Sequence, residues 1–247
     1  MGCGTILRWP YKSFGGEIDL KESLLNYLMS LVDKQIDCAS VTDMVTGNQC
    51  VLHNNSVEGE LELSETEIIE VADHIARFKS GVLSSNHLFV RVYSSPLKLI
   101  VVGAVHISQT LIPLAQKVGF NVIVIDPRKG FVDSAGFQNI ELHNEWPDEV
   151  LKTIKLDKRT ALVTLTHDTK FDDPALISAL NSNAFYIGAL GSQKTHAKRI
   201  KRLSEQGVND LNLKRIYGPV GLDISAITPA EIAVSIISQI VKVYRAT

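Results

Sequence analysis

Gly188-Ala189-Leu190-Gly191-Ser192-Gln193-Lys194-Thr195-His196 puts two glycines, two hydroxyls and a lysine at a predicted helix start. Backbone N–H groups at such a start favour an anion, so phosphate or pyrophosphate is the natural guest. It is not a Walker A loop, because the four-residue spacer and the G-K-[ST] ending are absent. The alternative is that Gly188 and Gly191 only shape a turn. A second glycine turn, Gly103-Ala104-Val105-His106-Ile107-Ser108, follows an apolar run. Of the dinucleotide pattern G-x-G-x-x-G it keeps the first glycine. Val105 stands where the second lets a pyrophosphate approach, and Ser108 is a small residue in place of the third. Asp126 ends the next apolar run, where such folds hydrogen-bond a ribose hydroxyl. Arg128 beside it accommodates a 2′-phosphate instead, or pairs with Asp126 to tie down a strand end.

Thr166-His167-Asp168 offers ligand contacts or an acid–base pair, or is simply a polar loop. Neighbouring side chains diverge on an extended chain, so His167 and Asp168 are not expected to bond to each other. Asp172 and Asp173 read as helix caps, with Pro174 as the first helical residue. His106, His167 and His196 lack the spacing of a metal motif, and no metal site is expected. No G-x-S-x-G nucleophile elbow is present, and Cys38 and Cys50 sit in strand-like runs as apolar packing.

The elements that must position these residues follow from hydrophobic period. Residues 97–128 read as strand, turn, helix, strand: Leu99-Ile100-Val101-Val102 is continuous, Ile107, Leu111, Leu114 and Val118 recur at helical spacing, and residues 122–125 are apolar again. Residues 138–142 read as a short strand, 147–154 as a helix opened by Pro147, 160–165 and 185–187 as buried strands. A cationic helix follows Ser192 and ends at Gly207. The last helix opens with Thr228, Pro229 and Glu231 as cap, first and third positions. Alternating strands and helices predict an α/β fold, a Rossmann-like parallel sheet wrapped by helices over residues 97–247. Ligands then bind outside the carboxyl ends of the strands, where residues 103–106, 126–128, 166–168 and 188–196 should converge.

Residues 1–96 predict a small α+β domain ending at Pro96. Residues 1–18 read as irregular. Asp19 and Glu22 suit a capping box ahead of Leu20, Leu24, Leu28 and Leu31. Residues around Ala39, Val41 and Val45, the turn Thr46-Gly47-Asn48, and Cys50-Val51-Leu52 suit a hairpin, with a further turn at Asn54-Asn55-Ser56. Ser64 and Glu67 form a second capping box, and residues 88–93 a β-rich segment.

Bulk properties narrow the function classes. The 247 residues carry a formal charge of -2, with no basic stripe, so nucleic acid is not an expected partner. Three cysteines without C-x-x-C spacing fit a reducing compartment. No apolar stretch approaches the roughly 20 residues of a membrane span, and the N-terminus lacks a signal-peptide pattern. The expectation is a soluble cytoplasmic chain, with a homodimer through apolar N-terminal helix faces as a further possibility.

Four motifs, VVGAVH with VIVIDPR, VTLTHDTKFDDPAL, AFYIGALGSQKTHAKR and GPVGLDISAITPAEIAVSI, resemble in sequence and order the C-terminal domain of the xanthine dehydrogenase accessory proteins (the XdhC/CoxI family). The resemblance covers residues 97–244. It implies a chaperone rather than an enzyme of turnover: a protein that binds molybdenum cofactor, protects it while its terminal sulfur is installed by a cysteine desulfurase, and passes it to a molybdenum hydroxylase apo-enzyme. The matching motif positions are Gly103, Ala104, His106, Asp126, Arg128, Thr166, His167, Asp168, Gly188, Gly191, Ser192, Thr195, His196, Gly221 and Asp223, with Val105 where the family has a second glycine. The family's N-terminal glycine–cysteine motif, close to Gly-Gly-Cys-Leu-Glu, has no counterpart in residues 1–96. Two other functions suit the same core. An NAD(P)-dependent oxidoreductase would need a close second glycine turn and a proton donor such as His167, and Val105 stands against it. A degenerate module would have kept the fold and lost its ligand.

Overall fold

A computed structural model describes residues 22–34, 36–94, 96–128 and 140–246. The chain divides into two compact units, residues 1–95 and 96–247.

The first unit contains α1 (Glu22–Asp33), β1 (Cys38–Asp43), β2 (Gln49–His53), β3 (Ser56–Gly59), α2 (Glu65–Ala76), β4 (Gly81–Val82) and β5 (Leu88–Tyr93). Its antiparallel sheet runs β3-β2-β1-β5-β4. Period-two alternation gives the sheet two apolar faces. Ala39, Val41, Cys50, Leu52 and Val90 pack with Val71 of α2, while Cys38 and Val51 pack with Leu24, Leu28 and Leu31 of α1. The capping box of α2 forms as its spacing predicts, with the Ser64 N–H donating to Glu67 Oε2 at 2.9 Å. Val45 departs from expectation. It is 81% exposed in the β1–β2 turn, because the Asp43 carboxylate accepts the Val45 and Thr46 N–H groups and ends the strand early. Asn54 and Asn55 both take positive φ, which a two-residue hairpin turn requires. The cap and first apolar position assigned to Asp19 and Leu20 lie outside the described residues, as do residues 1–18.

The second unit contains β6 (Leu97–Val102), α3 (His106–Lys117), β7 (Phe120–Ile125), β8 (Glu141–His143), α4 (Pro147–Thr153), β9 (Thr160–Thr164), α5 (Thr169–Leu180), β10 (Tyr186–Ala189), α6 (Gln193–Glu205), α7 (Asp210–Leu213), β11 (Ile216–Tyr217) and α8 (Pro229–Ala246). All its sheet pairings are parallel, in the order β11-β10-β9-β6-β7-β8. That is the doubly wound order of a Rossmann sheet, and strand order reverses between β6 and β9. Leu111 and Ile112 of α3 and Ile236 and Ile240 of α8 cover one face, over Leu99, Val101 and Val163. Val150 of α4, Leu176 of α5 and Leu203 of α6 cover the other, over Ile100, Val102 and Leu162. The continuous apolar runs of β6, β7 and β9 are therefore needed on both faces.

Two boundaries that bear on the site differ from the sequence reading; away from it, the strand read over 138–142 is observed at Glu141–His143, with residues 138 and 139 outside those described. Helix α5 starts at Thr169, capped by the Asp168 carboxylate, which accepts the Lys170 N–H at 2.9 Å. His167, at φ 62, turns the chain sharply enough for this. Pro174 thus lies inside the helix rather than at its first position, and Asp172 and Asp173 are buried within it rather than capping it. The missing Pro174 N–H leaves the carbonyl of exposed Lys170 to water, so the proline is tolerated. Strand β10 also continues through Gly188 and Ala189. Among the described residues no helix is long and apolar enough to cross a membrane.

Candidate functional site

The carboxyl ends of β6, β7, β9 and β10 are joined by a continuous line of contacts. Asp126, just past β7, is fully buried. Its Oδ2 accepts the Ala104 N–H at 2.7 Å and Arg128 Nη2–H at 2.7 Å. Its Oδ1 accepts the Arg128 backbone N–H at 3.0 Å and Arg128 Nε–H at 2.9 Å. Asp126 therefore braces the first turn from below. Gly103 of that turn has φ 117, and a Cβ there would lie 2.8 Å from Thr166 Cγ2. The close approach of the β6 and β9 ends at the switch point is what demands glycine. Thr166 Oγ1 donates to Asp172 Oδ1 at 2.6 Å and accepts the Asp168 N–H at 3.1 Å. Asp172 Oδ2 lies 3.8 Å from Arg199 Nη2, which donates to the Leu190 carbonyl at 2.7 Å.

Leu190 leads into the β10–α6 turn. Gly191 takes φ 137, and a Cβ there would press on Thr195 at 3.0 Å. Ser192 caps α6 by accepting the Thr195 N–H at 3.2 Å. The N–H groups of Gln193 and Lys194 find no partner among the described residues. Ser192, Lys194 and Thr195 are all exposed. The turn thus presents free N–H groups, two hydroxyls and an ammonium to solvent at the positive end of a helix, the arrangement that holds a phosphate.

The other residues singled out in the sequence divide cleanly. His106 and His167 are exposed, at the first turn of α3 and the β9–α5 loop. Gly188 is inside β10, where a Cβ would meet Val220 Cγ2 at 2.6 Å, so it is a packing glycine rather than a turn residue. His196 turns inward and packs on Gly218, with its Nδ1 buried and without a hydrogen-bond partner among the described residues. Gly221 packs on Ser235 of α8, and its N–H donates to Gln239 Oε1 at 2.8 Å. Asp223 is exposed in the loop before α8. Val105 takes the cap position of α3 without a side-chain hydrogen bond.

Asp172 and Arg199 were missed as parts of the site. Arg199 is 2% exposed, and its Nε and Nη1 find no hydrogen-bond partner among the described residues. Its signal is positional: His196, Arg199 and Leu203 fall on the inward face of α6, so a cation is written into the stripe that packs on the sheet. Asp173 has a different role, accepting Arg202 Nε–H at 2.6 Å and Nη2–H at 2.9 Å to clamp α5 to α6. Among the described residues no group of acidic, histidine or cysteine side chains is placed to hold a metal. A cavity of about 400 Å³ lies in the first unit, lined by Tyr27, Asn48, Gln49 and Glu58 among others, and takes in none of the positions read as chemical.

The two buried carboxyls titrate in opposite directions. Burial pushes Asp126 up, but the hydrogen bonds from Arg128 and Ala104 outweigh it and hold the carboxyl below its usual range. Burial dominates at Asp172 and raises it, with Thr166 and Arg199 opposing. Burial, aided by Arg199, lowers His196. A depressed carboxyl stabilises the fold above its unfolded pKa and loses that contribution as pH falls through its folded pKa. Asp126 therefore favours acid unfolding below about pH 4, whereas Asp172 is least costly there and becomes costly as pH rises through its raised pKa. Asp126→Asn should be less stable than wild type at neutral pH and lose less on acidification, as read by urea midpoints at a series of pH values. Parallel pH profiles for the two proteins would refute the assignment.

The geometry agrees with comparison to known proteins. The model of the XdhC Rossmann domain matches residues 99–240. A relative from Bacillus subtilis, named as a probable xanthine dehydrogenase subunit, is 33% identical over 159 residues, covering 64% of this chain and 46% of its own. The molybdenum cofactor insertion chaperone PaoD of Escherichia coli is 34% identical over 89 residues, 36% of this chain and 28% of its own. The chain thus spans less than half the length of these relatives. The crystal structure of a xanthine dehydrogenase from Bacillus halodurans superposes with a TM-score of 0.68 over 91% of this chain and 63% of that one, at 23% identity, which speaks to the fold. With its parallel sheet, its switch point and its matched residues, this chain belongs to the XdhC family, whose Rossmann domain forms its second unit.

Proposed function

We propose that this chain binds molybdenum cofactor and assists its sulfuration and its insertion into a molybdenum hydroxylase of the xanthine dehydrogenase type. The observation that carries the reading is the β10–α6 turn, where the N–H groups of Gln193 and Lys194, the mutually bonded hydroxyls of Ser192 and Thr195, and the Lys194 ammonium face solvent at the start of a 13-residue helix. That set fits the phosphate of the pterin. Family membership and a relative named as a cofactor insertion chaperone support the choice of cargo. The molybdenum acts as cargo here, and its redox chemistry belongs to the enzyme that receives it. This chain's residues bind and orient: Ser192, Lys194 and Thr195 hold the phosphate, and the loop of Thr166, His167 and Asp168 borders the neighbouring strand end. An apo-enzyme and a cysteine desulfurase are the partners this role requires.

The test is pterin content. Protein made in a host that produces the cofactor, and purified under low oxygen, should carry near-stoichiometric pterin, read as its fluorescent oxidised form. Ser192→Ala/Lys194→Ala should retain about tenfold less or lower, since each lost bond to a charged group costs roughly 1.5–3 kcal/mol. Folded wild-type protein without pterin from such a host would overturn the proposal.

A further inference from the structure

We infer that the ligand of this unit carries a terminal phosphate and no nucleotide, because the chain's own residues lock the position where a sheet of this order grips a ribose. The inference rests on the proposed phosphate site at the β10–α6 turn, and concerns which form of the cargo fits. In a dinucleotide-binding sheet, the acidic residue after the second strand of the βαβ unit accepts the ribose hydroxyls. Here that residue is Asp126, after β7. An ionised carboxylate has about four lone-pair sites. All four are filled, by the Ala104 N–H, the Arg128 N–H, Arg128 Nε–H and Arg128 Nη2–H. The carboxylate is also fully buried. A ribose would have to displace a bidentate guanidinium, the strongest partner a carboxylate has among side chains.

The guanidinium is itself held in place. Its carbon lies 5.8 Å from the centre of the Phe171 ring, and Phe171 packs against Trp146 at 5.1 Å. The second obstacle is at the first turn. The Ala104 N–H is turned down to Asp126 rather than outward, and Val105 occupies the position where glycine would let a pyrophosphate reach the backbone. The β10–α6 turn is two strand spacings from β6, about 10 Å, so a phosphate held there does not depend on the first turn. One anion site remains open, and the ribose site is closed from both sides.

Titration calorimetry on the whole chain with inorganic phosphate, AMP, inorganic pyrophosphate and NAD separates the cases. Wild type should bind AMP no more than about threefold tighter than phosphate, and NAD no more than about threefold tighter than pyrophosphate, because ribose and base gain no hydrogen bond. Val105→Gly/Arg128→Ala, checked for folding by circular dichroism, should bind NAD at least about tenfold tighter than wild type, since it frees the two lone-pair sites that the guanidinium fills and opens the turn together. Val105→Gly alone should gain little, because Asp126 stays filled. Wild type binding NAD tenfold or more above pyrophosphate would overturn the inference whether or not the variants fold. A folded double variant without the gain, or the full gain from Val105→Gly alone, would overturn the role of Arg128. If pyrophosphate and phosphate fail to bind wild type, the phosphate site of the proposed function fails, and NAD binding by wild type and double variant still decides the ribose lock.

Discussion

Replacing Arg199 with methionine should cost about 3–5 kcal/mol of folding stability, the range seen when one member of a buried charge pair is removed. Arg199 and Asp172 are both about 2% exposed. Without the guanidinium, the Asp172 carboxylate keeps its hydrogen bond from Thr166 and loses its buried cation, in a site that already disfavours its charge. The Leu190 carbonyl loses its donor as well. Urea unfolding at neutral pH measures the loss. Arg199→Met/Asp172→Asn should recover most of it, because no uncompensated charge remains, and because the native Nε and Nη1 are themselves buried without hydrogen-bond partners among the described residues. The single variant should also gain relative to wild type in mild acid, since protonating Asp172 removes the unpaired charge. A single variant within about 1 kcal/mol of wild type would mean that the pair contributes no more than an exposed one.

Gly103→Ala should be nearly as damaging, for a steric reason. The backbone sits at φ 117, which costs a side-chain-bearing residue about 1–3 kcal/mol. The new Cβ would also stand 2.8 Å from Thr166 Cγ2 and 3.3 Å from the Thr166 nitrogen, and overpacking adds about another 1–3 kcal/mol. The expected result is a fall in Tm of roughly 6–12 °C, taking about 3 kcal/mol at a few degrees per kcal/mol for a chain of this size. Thr166→Ser removes the offending methyl and keeps the hydroxyl that bonds Asp172. Combined with Gly103→Ala it should restore the packing part and leave the backbone part. An unchanged Tm in the single variant would show that the β6 and β9 ends move apart without cost.

The second unit was legible because its signals are local. Continuous runs at β6, β7 and β9 mark doubly covered strands, and Thr228 with Glu231 marks a helix start by cap chemistry, as Ser64 with Glu67 does in the first unit; both caps form. The start of α5 was not, because two rules conflict there. Pro174 suits a first helical position, yet the His167 turn lets Asp168 cap the chain first. β4 and β11, two residues each, are too short to show a period. At the site, the glycine turn after β10 could be read from residue types alone. What Gly188 does could not, since its reason is Val220, more than thirty residues away. Arg199 was hidden among Lys194, Lys198, Lys201 and Arg202, where a cationic helix reads as solvated throughout. The saturation of Asp126 depends on how Arg128 folds back on it, and spacing alone leaves a ribose contact equally open.

The line from Asp126 through Ala104, Gly103, Thr166, Asp172 and Arg199 to Leu190 is closed without any help from a ligand. The mouth of the sheet is therefore held in one shape before anything binds there. Binding to a surface already in shape carries little ordering entropy, so a few exposed donors at one turn can hold a ligand of modest contact area. The same sparseness of contact makes departure easy, since a grip that required no wrapping requires no unwrapping; on the proposed role, an apo-enzyme need only out-compete one turn of helix.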